Sequence, residues 1–204
     1  MLNVGLTGGL GCGKSFVAAE LLRLGCHLIE TDRLGHQVLA PGGEAYEDVV
    51  REFAPRLLPD GSIDRAALAA QVFDYPDRLH RLNALVHPPV KAREQAWLDA
   101  VAAEDPRGIA VVEAAILVET GTYRNYDRLI VVVCNEVVQL QRALARHGAT
   151  LKGVQARLSR QMPLMEKQKF AHYVIDSSGA PEDTRRQAGE VYAALRREAE
   201  NQPL

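Results

Sequence analysis

A glycine-rich octapeptide near the amino terminus constrains the fold of this chain more than any other feature. Residues 8–15 read Gly-Gly-Leu-Gly-Cys-Gly-Lys-Ser and fit the pattern G-x-x-x-x-G-K-[ST] at every fixed position. A short, partly alternating segment at residues 2–7 precedes the octapeptide, and apolar residues follow it at helical spacing. The chain is therefore predicted to begin with a strand, a tight glycine loop and a helix.

This order of elements gives the octapeptide a specific chemistry. The glycines let backbone N–H groups curl around a phosphate, and the following helix adds the partial positive charge of its amino terminus. Lys14 is predicted to bridge the β- and γ-phosphates of a nucleotide, and the Ser15 hydroxyl to bind Mg²⁺. We therefore expect a nucleoside triphosphate site formed by Gly9, Leu10, Gly11, Cys12, Gly13, Lys14, Ser15 and Phe16.

A second short strand is predicted at residues 26–30, after Gly25 ends the first helix. Two strands joined by one helix form a parallel pair, and parallel sheets bind ligands at the carboxyl ends of their strands. Asp32 follows that strand end and is therefore a candidate general base for a hydroxyl that attacks the γ-phosphate. The competing interpretation is that Asp32 caps a helix beginning at Arg33.

Residues 32–35 read Asp-Arg-Leu-Gly and also fit the D-x-x-G pattern of GTPases. In GTPases, however, that motif follows a later strand, and the guanine-reading N-K-x-D pattern is absent from this sequence. An adenine nucleotide, ATP, is therefore expected rather than GTP.

The region that follows is helical in pattern almost throughout. It covers residues 32–103, with breaks predicted at residues 41–43, 59–61, 76 and 87–89, where proline and glycine residues lie. We interpret this region as an all-helical insertion after the second strand.

Further strands are predicted beyond the insertion. Residues 108–113 and 128–133 are near-continuous apolar runs, as is typical of strands buried between two helical layers, and residues 173–176 form another candidate. Helices are expected at about residues 136–147, 151–161 and 181–200. The predicted architecture is a three-layer α/β fold with a five-stranded parallel sheet.

Composition excludes several classes of protein. The 204 residues include 24 basic and 26 acidic side chains, so no nucleic-acid partner is expected. No run approaches the roughly 18 apolar residues of a membrane helix, and the opening residues do not read as a signal peptide, so a cytoplasmic protein without a membrane partner is expected. Cys12, Cys26 and Cys134 lack C-x-x-C spacing and are expected to be reduced, partly buried thiols.

Five segments together resemble the dephospho-CoA kinase family nearly end to end: residues 7–15, 30–32, 82–88, 113–119 and 174–179. The resemblance implies a P-loop core at residues 1–31 and 104–204, a lid at about 135–165, and a CoA-side domain at 32–103. It also implies transfer of the γ-phosphoryl group of ATP, with Mg²⁺, to the ribose 3′-hydroxyl of dephospho-CoA, the last step of coenzyme A synthesis. The oligomeric state stays open.

The resemblance also assigns residues. The presumed base of the family falls on Asp32, and Glu30 stands where the family has aspartate, which adds one methylene. Arg142 matches the arginine of the family's Q-L-x-R at the start of the lid, so it is assigned to the phosphates. His87 marks the substrate domain, and Arg81, Lys91 and Arg93 around it are candidate cations for the diphosphate of the acceptor. Ser178 replaces the usual asparagine in the carboxyl-terminal motif.

Glu113 closes an apolar run, the position at which the acidic residue of a Walker B strand is presented to Mg²⁺. We therefore predict that Glu113 contacts metal or substrate, against the alternative of an ordinary capping or surface carboxylate.

Two rival functions remain at this point. One is another small-molecule kinase, such as a shikimate kinase, although the long insertion exceeds what a small acceptor requires. The other is a nucleotide-binding regulator without activity, for which Glu30 and Ser178 would be signs of degeneration. The retained Lys14, Ser15 and Asp32 favour an enzyme.

Overall fold

A computed structural model describes residues 1–146 and 148–201. In this part of the chain, five strands alternate with nine α-helices and one 3₁₀ turn (Thr122–Asn125). The elements are β1 (Leu2–Gly8), α1 (Lys14–Arg23), β2 (His27–Glu30), α2 (Thr31–Val38), α3 (Tyr46–Phe53), α4 (Arg65–Val72), α5 (Pro76–Glu104), β3 (Ile109–Glu113), β4 (Arg128–Val133), α6 (Glu136–Leu144), α7 (Leu151–Leu158), α8 (Leu164–Gln168), β5 (Tyr173–Asp176) and α9 (Pro181–Asn201).

The five strands form one sheet in the order β2-β3-β1-β4-β5. The central strand β1 pairs in parallel with β3, where Val4 lies opposite Val111, and with β4, where Leu6 lies opposite Ile130. Every residue of β3 is buried, and the four residues before Glu113 are apolar, as is typical of a central strand of a parallel sheet. The predicted α/β fold with a five-stranded parallel sheet is confirmed.

Helices α1 and α9 contribute to the main core through apolar residues at helical spacing. Val17 and Leu21 of α1 and Val191 and Leu195 of α9 are buried in one cluster with strand residues such as Val111. Because β1 is anchored in this cluster, the loop that follows it starts from a rigid support. None of the described helices is long and apolar enough to cross a membrane.

The chain divides into two compact units, residues 1–29 with 101–204, and residues 30–100. The second unit contains α2, α3, α4 and most of α5. It has its own apolar core, formed by Val38, Ala45, Val49, Phe53, Ile63, Leu68 and Val72.

Three helix boundaries differ from the sequence-based expectation. The break predicted at residues 87–89 is wrong, because α5 continues through Pro88 and Pro89. The two prolines remove backbone donors, but Leu85 and Val90 on either side pack against the core of the second unit and hold the helix together. In addition, α7 ends at Leu158, so Gln161 lies outside the helix that was expected to include it.

Helix α6 is also shorter than expected. The helix ends at Leu144, whereas the pattern predicted it to about residue 147, which lies outside the described residues.

Candidate active site

The glycine loop connects β1 to α1 and has the backbone conformation that its sequence predicts. Gly11 and Gly13 have φ angles of +78° and +74°, in the left-handed region that L side chains rarely adopt. Gly13 occupies the N-cap position of α1, and no side-chain hydrogen bond caps this helix at Gly13. The amino terminus of α1 therefore points its partial positive charge at the loop.

The outer surface of the glycine loop is tightly packed against α6. A Cβ atom on Gly9 would lie 2.5 Å from Nε2 of Gln139, and one on Gly11 would lie 2.6 Å from the Gln139 carbonyl oxygen. Both positions therefore favour glycine for close approach, and Gly11 needs it for backbone conformation as well.

The structure brings Ser15 and Glu113 together. The Ser15 hydroxyl, at the start of α1, donates a hydrogen bond of 3.4 Å to Oε1 of Glu113, which ends β3 and is buried. Lys14, half-buried, donates from Nζ to the Gly8 carbonyl oxygen at 3.5 Å. A hydroxyl, a carboxylate and an ammonium group thus lie around the start of one helix.

Arg142 lies near the same loop. Its guanidinium donates a hydrogen bond of 3.0 Å to the Ser177 hydroxyl, which in turn donates to the Cys12 carbonyl oxygen at 2.9 Å. Ser177 is buried, and a Cβ atom on Gly13 would lie 3.9 Å from the Arg142 nitrogen. A cation on α6 is therefore joined to the glycine loop through one hydroxyl.

The three cysteines are free and buried, as expected. The sulfur atoms of Cys12 and Cys134 are 3.1 Å apart, and Gln139 donates from Nε2 to Cys12 Sγ at 3.6 Å. Burial raises the pKa of both Cys26 and Cys134 to about 12, with the hydrogen bond to Cys12 as a further cause for Cys134. Cys26 and Cys134 are therefore protonated thiols at neutral pH.

Phe16, the last residue predicted in the nucleotide site, lies on the exposed side of α1. Its ring lies beneath the Arg185 guanidinium, whose carbon is 5.2 Å from the ring centroid.

The other predicted site residues belong to the unit of residues 30–100. Glu30 is half-buried at the N-cap position of α2, which begins at Thr31. The interpretation of Asp32 as a cap is therefore wrong, because β2 runs directly into α2 and places Asp32 one residue inside the helix, in its first turn. The Asp32 side chain is exposed.

His87 and the candidate cations lie on α5. Loss of water around the His87 ring, with a smaller contribution from Lys91, lowers the pKa of His87, so its ring is neutral at pH 7. Arg81 forms an ion pair with Glu52 at 3.2 Å, and Arg93 forms one with Glu44 at 2.8 Å.

No pattern in the sequence indicates the buried ion pair between Lys167 and Glu119. Lys167 on α8 has no exposed side-chain surface, and its Nζ lies 2.8 Å from Oε1 of Glu119 and 2.9 Å from the Ala115 carbonyl oxygen. The same Glu119 oxygen accepts the backbone N–H of Met162 at 3.0 Å. The pair therefore fixes the chain after β3 to the segment before α8.

Replacing Lys167 with methionine is expected to lower the free energy of unfolding by about 3 kcal/mol, because it leaves the Glu119 carboxylate without its cation. Lys169→Met is the matched control, since Lys169 forms an exposed ion pair with Glu166 at 2.7 Å and should lose at most about 1 kcal/mol. Urea unfolding of both variants measures the difference. Equal losses would show that the buried pair does not stabilise the fold.

Comparisons with known proteins identify the family of this chain. The sequence model of dephospho-CoA kinase matches residues 2–183. The chain is 40% identical over 199 residues to the dephospho-CoA kinase of Aquifex aeolicus, covering 97% of this chain and 100% of that protein. It is 38% identical over 187 residues to that of Geobacillus kaustophilus, covering 91% of this chain and 92% of that protein.

Among solved structures, the protein TT1252 of Thermus thermophilus has a TM-score of 0.83 and 33% identity, covering 95% of this chain and 97% of its own. The family match spans most of the sequence, and the relatives are matched over nearly their full length. The chain therefore belongs to the dephospho-CoA kinase family.

Proposed function

We propose that this enzyme transfers the γ-phosphoryl group of Mg-ATP to the ribose 3′-hydroxyl of dephospho-CoA, and that the residues described above perform the transfer. ATP-dependent phosphorylation of dephospho-CoA is the activity of the family. The observation that carries the residue assignment is the glycine loop itself, which curls at Gly11 and Gly13 in front of the uncapped amino terminus of α1.

The loop and α1 bind the triphosphate in this proposal. Backbone N–H groups of residues 9–16, other than that of Leu10, surround the β-phosphate, and the Lys14 ammonium lies between the β- and γ-phosphates. This arrangement is supported by the position of Lys14 at the first turn of α1, where its charge adds to that of the helix terminus.

The residues at the start of α1 also fit a magnesium ion. The Ser15 hydroxyl and the Glu113 carboxylate supply oxygen donors, which Mg²⁺ prefers, and their 3.4 Å contact brings both donors to one point. We assign Ser15 as the direct ligand and Glu113 as an acceptor for metal-bound water. The ion would neutralise charge on the β- and γ-phosphates during transfer.

Arg142 is proposed to bind the phosphates as well. A guanidinium has five N–H donors, and the hydrogen bond to Ser177 uses one of them. The contact with Ser177 orients the group while other donors serve phosphate oxygens, which stabilises the charge of the transferred group.

We assign the helical region, residues 32–103, to the acceptor, and residues 1–31 and 104–204, with a lid at about 135–165, to the nucleotide. Asp32 takes the proton of the ribose hydroxyl, and Glu30 and His87 contact the acceptor. Arg81 and Arg93 would exchange their carboxylate partners for the diphosphate. That exchange costs little, because exposed ion pairs are weak.

The reaction is proposed to take place in the cytoplasm. Three free, buried cysteines suit a reducing compartment.

Shortening the acceptor tests the role of the helical region. With adenosine in place of dephospho-CoA, kcat/KM is expected to fall by about 10²-fold or more, because the binding energy of the diphosphate and pantetheine arm is lost. A coupled assay of ADP release measures the rates, with shikimate as a third acceptor. Equal values for adenosine and dephospho-CoA would contradict the assignment, and faster transfer to shikimate would favour a different kinase class.

A further inference from the structure

One N–H group of the glycine loop is held by a side chain from a distant part of the chain. The backbone N–H of Leu10 donates a hydrogen bond of 2.9 Å to Oε1 of Gln161, 151 residues away in sequence. Both residues are half-buried. The proposed function uses the loop but assigns no task to Gln161.

The Gln161 side chain is presented from a segment with several anchors. Its own backbone N–H donates to the Leu158 carbonyl oxygen at 3.1 Å, and the next residue, Met162, donates to Glu119. Further along the chain, near the far end of α8, the buried Lys167 pairs with the same glutamate. The acceptor oxygen of Gln161 is therefore held in place before any ligand binds.

The same segment also packs on the loop. A Cβ atom on Gly9 would lie 3.1 Å from the Leu164 side chain of α8. On its inner side the loop has a backbone hydrogen bond from Cys12 to the Gly9 carbonyl oxygen, at 3.2 Å. The Gly9–Leu10 peptide is thus held at its N–H by Gln161 and at its carbonyl oxygen by Cys12, and Leu164 packs beside it.

Fixing one peptide plane in a glycine loop has a direct consequence for anion binding. Glycine residues give the free chain many conformations, and a phosphate that has to select one of them binds more weakly. The hydrogen bond from Leu10 removes part of this freedom in advance. We propose that Gln161 is a positioning residue for phosphoryl transfer, which holds the glycine loop in its nucleotide-binding conformation through the Leu10 N–H.

This inference rests on the proposed role of the loop in binding ATP. Gln161 acts on the nucleotide through the loop backbone, so its loss should weaken ATP binding and leave the acceptor site unchanged. Because Gln161 lies at the carboxyl-terminal end of the proposed lid, the same hydrogen bond joins the base of the lid to the phosphate loop.

The test compares Gln161→Met with wild type. Methionine matches glutamine in length but lacks the carbonyl acceptor. We expect KM for ATP to rise about 3- to 10-fold, the effect of one hydrogen bond, with KM for dephospho-CoA at saturating ATP unchanged. Hydrogen exchange at the Leu10 amide should accelerate in the ATP-free protein, while exchange in β1 and β4 should not change.

Three further variants make the result decisive. Gln155→Met, on the exposed side of α7 in the same segment, should match wild type in both measurements. If Gln161→Met also matches wild type while Lys14→Ala is inactive, Gln161 has no positioning role although the loop binds ATP. If Lys14→Ala is fully active, the proposed function of the loop fails instead. If Gln161→Met raises KM for both substrates and lowers Tm, Gln161 has a merely structural role. Gln161→Ala repeats the comparison with a smaller side chain that also lacks the acceptor, so it should raise KM for ATP in the same way.

Discussion

Replacing Lys14 with alanine should lower kcat/KM for ATP by about 10²- to 10³-fold or more, because the variant loses the cation that stabilises charge developing on the β- and γ-phosphates. The fold should persist. Alanine is the best helix former, and Lys14 occupies the first position of α1, where its long 3.5 Å hydrogen bond to the Gly8 carbonyl adds little to stability.

Steady-state kinetics with dephospho-CoA measures the loss of activity, calorimetry measures ATP affinity, and circular dichroism reports the fold. Lys152→Ala is the control, because Lys152 is an exposed lysine on α7 and should have near-normal activity. Turnover of the Lys14 variant near that of wild type would contradict the assignment of the glycine loop as the phosphate site.

The parts of the fold that follow from local sequence were predictable. The central strands β3 and β4 are confirmed, because apolar runs of this kind become stable when a parallel sheet buries both of their faces. The strand at residues 173–176 is also confirmed, at the edge of the sheet, where only Ile175 is buried. The strand, loop and helix at the amino terminus are confirmed for a similar reason, since only glycine adopts the φ angles at Gly11 and Gly13 without strain.

The expected break at Pro88 and Pro89 failed because a local rule met a tertiary contact. Each proline removes one helical hydrogen bond, but apolar residues before and after them, such as Leu85 and Val90, pack on one core. Packing of this kind involves α3 and α4, which lie many residues earlier in the chain. The spacing of residues within α5 alone does not show it.

The site divides in the same way. Motif and position predicted that Ser15 and Glu113 belong to one site, and the structure places them in contact. The partners of Leu10, Arg81 and Lys167 lie 151, 29 and 48 residues away and are ordinary polar residues in sequence. No periodic pattern connects such pairs, so only the folded chain reveals Gln161 and the buried Lys167.

Replacing Asp32 with asparagine should lower phosphoryl transfer by about 10²- to 10⁴-fold, the usual contribution of a positioned general base. Asparagine keeps the size of the side chain but cannot accept the proton of the ribose hydroxyl. The transition state of phosphoryl transfer is loose and needs little early deprotonation, so we expect a loss near the lower limit. ATP affinity should be unchanged, because the substitution leaves Lys14, Ser15 and the loop amides in place.

The control for this variant is Asp77→Asn. Asp77 is also an exposed aspartate in the first turn of a helix, α5, so both substitutions remove the same favourable charge at a helix amino terminus. Each variant should therefore lose a similar, small amount of stability, while only the Asp32 variant should lose activity. Calorimetry of ATP binding and single-turnover transfer to dephospho-CoA separate binding from chemistry. Retained affinity with slow transfer would support Asp32 as the base. Normal transfer by the Asp32 variant would assign the proton to another acceptor. A wild-type chain that binds ATP but transfers no phosphoryl group would favour the regulator.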